Sequence, residues 1–85
     1  MMVTVKLFGT LRLESGIKEL TVQADSVRAL YPPVLAEIRK HRPDSGFTEQ
    51  SLRACLVAVN GELAPPRAKL RDGDTVYLFP ATAGG

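Results

Sequence analysis

Only one stretch of this chain repeats its apolar residues at helical spacing, and it lies between strand-like runs. Val27, Leu30, Val34, Leu35 and Ile38 recur every three or four residues, which lines one face of a helix. A single helix covers a single face of a sheet. The 85 residues leave room for one domain and hardly for two, so the remaining apolar residues must build a sheet with one face under that helix. Asp25-Ser26 supplies the N-cap just before the stripe. Pro32-Pro33 interrupts it: an interior proline costs about 3 kcal/mol, one in the first turn very little. We expect a single turn over residues 27–31, then a regular helix from near Pro33 that ends by Arg42, before Pro43. A continuous but kinked helix is the alternative.

The strands follow from period two. Val3, Val5 and Leu7 alternate with Thr4, Lys6 and Phe8, as in a half-buried strand. Gly9-Thr10 interrupts it, residues 11–16 read as a turn, and residues 17–22 as a second strand pairing back antiparallel. Residues 43–50 read as loop. Residues 54–59 (ACLVAV) form a buried strand that ends at Asn60-Gly61, a strong hairpin signal. Residues 62–64 make a short edge strand before Pro65-Pro66. Asp72-Gly73-Asp74 is a tight turn, residues 75–79 are the last strand, and Pro80 ends the pairing.

This order describes an α+β roll: a mixed sheet of four to five strands, first and last strands central and parallel, one main helix on one face. Val3, Val5, Leu7, Val57, Val59, Val76 and Leu78 should face the helix. Phe8, Tyr77 and Phe79, with Leu56 or Ala58 alongside, should face away. Scattered surface aromatics are ordinary, but three on adjacent strands of a small domain suggest a docking surface. Residues 1–79 form the domain and residues 80–85 a flexible tail.

Composition excludes several functions. Eleven basic against nine acidic residues give a net charge of +2, too balanced for nucleic acid or an anionic membrane. The run Arg39-Lys40-His41-Arg42 is what a solvated helix C-terminus favours. No apolar run approaches a membrane span and no secretory signal begins the chain. One cysteine allows no internal disulfide and points to a reducing, cytoplasmic setting. Cys55 alternates with Val57 and Val59, so it should point into the core, where thiols are inert. His41 has no partner near it in sequence. The chain has no phosphate-binding glycine loop and no spaced metal ligands, so no bound cofactor or metal is expected. The tail Pro80-Ala81-Thr82-Ala83-Gly84-Gly85 carries no bulky side chain and no charge but its carboxylate. Six extended residues reach about 20 Å, and a Gly-Gly end has no Cβ atoms to obstruct a narrow channel.

Phe8-Gly9-Thr10-Leu11-Arg12, Val59-Asn60-Gly61, residues 70–76 (LRDGDTV) and Phe79-Pro80 leading to Gly84-Gly85 together resemble the ubiquitin-like β-grasp sulfur carriers, the MoaD/ThiS family. The Phe-x-x-Leu-Arg segment looks more like MoaD, the small subunit of molybdopterin synthase. The tail departs from the family pattern at Ala81 and Ala83, and Pro32-Pro33 is unusual for the family helix. The resemblance implies that a partner enzyme, using ATP and Mg²⁺, adenylates the Gly85 carboxylate, with Gly84 beside it. A persulfide protein then supplies sulfur, and the thiocarboxylate is used in the large synthase subunit for molybdenum cofactor synthesis. No catalysis is expected from this chain alone. By the same resemblance Phe8, Leu11, Arg12, Tyr77, Phe79, Pro80 and Thr82 would contact partners. Three alternatives stay open: a carrier for thiamine or cysteine synthesis, a protein modifier joined to lysines through Gly85, and a β-grasp docking module with no terminal chemistry.

Overall fold

The computed structural model describes residues 1–80. Its elements are β1 (Met2–Leu7), α1 (Gly9–Ser15), β2 (Glu19–Gln23), a 3-10 turn (Arg28–Leu30), α2 (Tyr31–His41), α3 (Glu49–Arg53), β3 (Leu56–Val59), β4 (Glu62–Leu63) and β5 (Thr75–Phe79). The five strands form one mixed sheet in the order β2-β1-β5-β3-β4. β1 and β5 are its central, parallel pair, with Val5 opposite Val76 and Leu7 opposite Leu78. The other pairings are antiparallel.

The helix side of the sheet carries the core. Val3, Val5, Leu7, Val57, Val76 and Leu78 are buried there against Val27, Leu30, Tyr31, Val34, Leu35 and Ile38; Val59 packs at the margin, partly buried. Both prolines fall in the first turn of α2, where a missing N–H removes no helical bond. The helix is therefore not kinked by them; the 3-10 turn supplies the preceding turn. Asn60 and Gly61 have φ of 52° and 94°, the two positive values that a tight two-residue hairpin turn requires.

Two short helices lie where turn and loop were expected. α1 occupies much of residues 11–16; it buries Leu11 and Ser15, one turn apart, and closes on Gly16 in the left-handed conformation (φ 73°). The Gly16 N–H bonds the Arg12 carbonyl, and the Ser15 hydroxyl accepts the Ile17 N–H at 3.1 Å. α3 begins within the expected loop of residues 43–50. Thr48 and Ser51 cap each other reciprocally at its start, a capping arrangement that satisfies two orphan N–H groups. β2 begins at Glu19, two residues later than expected, because Ile17 and Lys18 connect α1 to the sheet.

Candidate functional site

The face of the sheet opposite α2 is open, and the register decides what stands on it. Lys6 and Ala58 flank Tyr77 across the two pairings of β5, and Leu56 lies opposite Phe79. Phe8 follows β1, its N–H bonding the Leu78 carbonyl at 3.2 Å. Three rings consequently stack in the open: Phe8 on Phe79 with centroids 4.8 Å apart, Phe8 on Tyr77 at 5.9 Å, and Tyr77 on Phe79 at 6.5 Å. Stacked rings hold each other in place, so the patch is a preformed surface. Phe79 is 37% exposed, with Leu56 at 52% and Leu63 at 75% beside it. Leu63 reaches this face because Asn60-Gly61 sets Ala58 against it. Sequence reasoning did not include Leu63; pairing the strands outward from the hairpin turn, which sets Leu63 opposite Ala58, would have found it.

The electrostatics of the patch are mild. Lys6 Nζ lies 6.0 Å from the Tyr77 ring centroid and 3.9 Å from Glu19 Oε1. An exposed pair of that length contributes little, which leaves the aromatic face mainly apolar with one cation at its rim.

Pro80 is the last described residue and marks where the chain leaves the sheet. Its ring packs on the backbone of Gly9: a Cβ built there would sit 3.1 Å from Pro80 Cγ. Gly9 has φ of 59°, which an L side chain rarely adopts. The Phe-Gly pair before α1 thus seats the start of the tail, a role not expected for Gly9. Behind Pro80 is a small hollow of about 180 Å³ lined by Thr10, Leu11, Phe47, Ala54 and Cys55.

Of the expected contact residues, the structure brings Phe8, Tyr77, Phe79 and Pro80 together around the end of β5. Arg12 is exposed on α1 and joins none of the ion pairs among the described residues. Leu11 is a correction: it is 3% exposed and belongs to the core, because α1 turns it inward, so its side chain offers almost nothing to a partner. Thr82, Gly84 and Gly85 lie outside the described residues, as does the expected tail beyond Pro80.

Cys55 also differs in detail. It precedes β3 rather than lying in it, is half-buried against the core, and sits with Sγ 3.6 Å from the Ser51 carbonyl oxygen. Burial pushes its thiol pKa up, which keeps it protonated and unreactive. Among the described residues no group of three His, Cys, Asp or Glu side chains is placed to hold a metal, and no helix is long and apolar enough to cross a membrane.

A five-strand mixed sheet with its central pair parallel, a helix across one face and an open face on the other defines the ubiquitin-like β-grasp class. The chain matches the ThiS family profile over residues 5–85 and belongs to that family, the ubiquitin-like sulfur carriers. Subunit 1 in the complex of subunits 1 and 2 of molybdopterin-converting factor from Helicobacter pylori is similar at 26% identity, each chain covered in full, with a TM-score of 0.65. The Amycolatopsis orientalis BexX/CysO complex contains a chain 28% identical, covering 98% of this chain and 99% of that one, at a TM-score of 0.62. SAMP1 of Haloferax volcanii is 25% identical with both chains covered in full, at 0.69. No curated protein sequence matches significantly.

Proposed function

We propose that this chain is the sulfur-carrying small subunit of a molybdopterin synthase, acting in the cytoplasm. The observation that carries the reading is the stacked aromatic face at the end of β5, beside the point where the chain runs on to Gly84-Gly85. A large apolar partner surface would cover Phe8, Tyr77, Phe79, Leu56 and Leu63, with Arg12 at its margin, and Thr82 of the tail would add a contact by family resemblance. Likeness to molybdopterin-converting factor subunit 1 supports this choice of pathway.

The chemistry belongs to the terminus and its partners. A carboxylate resists nucleophiles because its charge is delocalised and it would have to expel oxide. An adenylating enzyme with ATP and Mg²⁺ makes the Gly85 carboxylate attack the α-phosphorus, and pyrophosphate leaves. The terminal sulfur of a donor protein's persulfide then attacks the carbonyl and AMP departs. A further thiol reduces the resulting acyl disulfide and frees the thiocarboxylate, which delivers sulfur to a dithiolene precursor in the large subunit. This chain's part is to bind, with Pro80 seated against Gly9 so that the tail starts from a fixed point beside the docking face.

A second reading is favoured by likeness to the CysO chain and to SAMP1: the same terminal chemistry feeding cysteine synthesis, or conjugation of Gly85 to lysines. Intact mass after incubation with the activating enzyme and a sulfur donor tests the carrier chemistry. We expect a species heavier by the oxygen-to-sulfur exchange, lost when a residue is appended after Gly85; its absence from the unmodified chain would refute the carrier role. Phe79→Lys should weaken binding to the large subunit by about tenfold or more, as loss of a central aromatic contact does, with little change in the unfolding midpoint. Undiminished binding would remove the open face from the interface. Gly-Gly remnants on lysines would instead favour the modifier.

A further inference from the structure

Arg28, Tyr31 and Arg53 meet at a hollow of about 260 Å³, closed by Pro66, that the sulfur chemistry leaves unused. None of the aromatic trio lines it. The 3-10 turn and the first residue of α2 set Arg28 and Tyr31 on its lining, and the last residue of α3 adds Arg53. These surroundings are tied together by backbone bonds. The Arg28 N–H donates to the Pro66 carbonyl at 2.9 Å, and the Val27 N–H to Ala68 at 3.0 Å.

Tyr31 gives the hollow its character. The residue is 2% exposed, and its hydroxyl has no hydrogen bond among the described residues. Yet no buried side-chain polar atom there is left without a partner. The hydroxyl is therefore not fully enclosed, a donor in a mostly buried setting at the border of the two hollows that Tyr31 lines. Burial pushes the phenol pKa up against the opposing pull of the Arg53 guanidinium, so the hydroxyl remains a donor at neutral pH. A second hollow of about 360 Å³ shares Tyr31, Arg53 and Pro66 and continues along Pro65 and Ala64 to Leu56 and Leu63, which the proposed partner surface also covers. One end is cationic and donor-rich, the other apolar.

We propose that this notch binds a phosphate monoester, with the phosphate against Arg28, Arg53 and the Tyr31 hydroxyl and its organic body in the adjoining apolar hollow. Guanidinium forks match phosphate oxygens in pairs. Donors drawn from three side chains suit a tetrahedral group with three terminal oxygens better than a planar carboxylate. Arg53 already meets Glu49 at 3.0 Å, but that pair is exposed and lies one turn apart on α3. Such pairs contribute little, so a dianion would draw Arg53 away from Glu49.

The test is an amide-shift titration of the full chain with inorganic phosphate and, separately, phenyl phosphate at low ionic strength. Shifts should centre on Arg28, Tyr31 and Arg53, and phenyl phosphate should bind more tightly than inorganic phosphate. Arg53→Gln should weaken both by about tenfold, in line with loss of a charge-assisted contact. Tyr31→Phe should weaken both by less while keeping the fold, and Glu49→Gln should strengthen both. Shifts centred on the basic run at residues 39–42, or an Arg53→Gln affinity equal to that of the unmodified protein, would overturn the site. Equal affinity for the two phosphates would overturn the apolar subsite. Neither result bears on the carrier reading, because no terminal chemistry enters the measurement.

Discussion

At the scale of single residues, Asn60 and Asp74 show how two turns are locked to each other. Asn60 Nδ2 donates to Asp74 Oδ1 at 3.0 Å, and Asn60 Oδ1 accepts the Thr75 N–H at 3.0 Å. Asp74 Oδ2 accepts the Arg71 N–H at 2.8 Å. The Arg71 N–H, then the Asn60 amide, hold the Asp74 carboxyl below its ordinary range. A depressed carboxyl contributes stability that is present above its unfolded pKa and lost as pH falls through the folded value. Asp74→Asn should therefore be less stable than the unmodified protein at neutral pH, and the gap should close below about pH 4. Denaturant titrations at several pH values check this; a gap constant with pH would show that the charge plays no part. The identities of these turn residues were legible, because Asp and Asn bond their own neighbourhood. Their mutual bond was not, since fourteen residues separate them.

At the scale of elements, α1 was the least legible. Its seven residues begin with a glycine and bury only Leu11 and Ser15, too few positions for helical spacing to separate from a turn. α3 was hidden in the same way, although Thr48 and Ser51 carry its capping signal. α2 was readable because its stripe is long and its two prolines sit where helices tolerate them. The Gly9 corner carries a prediction about how α1 meets β5. Gly9→Ala should cost about 1–2 kcal/mol for the positive φ alone, plus the displacement of Pro80 that a 3.1 Å contact demands. Gly61→Ala has φ of 94° but nothing within 4 Å, so it is the control for backbone strain. Urea unfolding should show Gly9→Ala as the more damaging. Because Gly61 has the more strained φ, a smaller loss at Gly9 would mean that Pro80 gives way to the added methyl.

Across the whole molecule, the sheet separates stability from recognition by its two faces. Leu78 is fully buried under α2, and Leu63 is 75% exposed on the opposite side. Leu78→Ala should destabilise by about 2–5 kcal/mol through lost burial and the cavity left behind. Leu63→Ala should stay within about 0.5 kcal/mol, as surface changes do, while weakening partner binding. Comparable unfolding free energies for the two variants would contradict the one-sided core. The sequence by itself determined the alternation of β1 and β5, the helical stripe and the hairpin turn. Each rests on local spacing or on the backbone freedom of one residue type. Only the tertiary structure decided that Leu11 turns inward, that Gly9 seats Pro80, and that Arg28, Tyr31 and Arg53 share one hollow. Those arrangements join residues far apart in the chain, and only packing, not local spacing, brings them together.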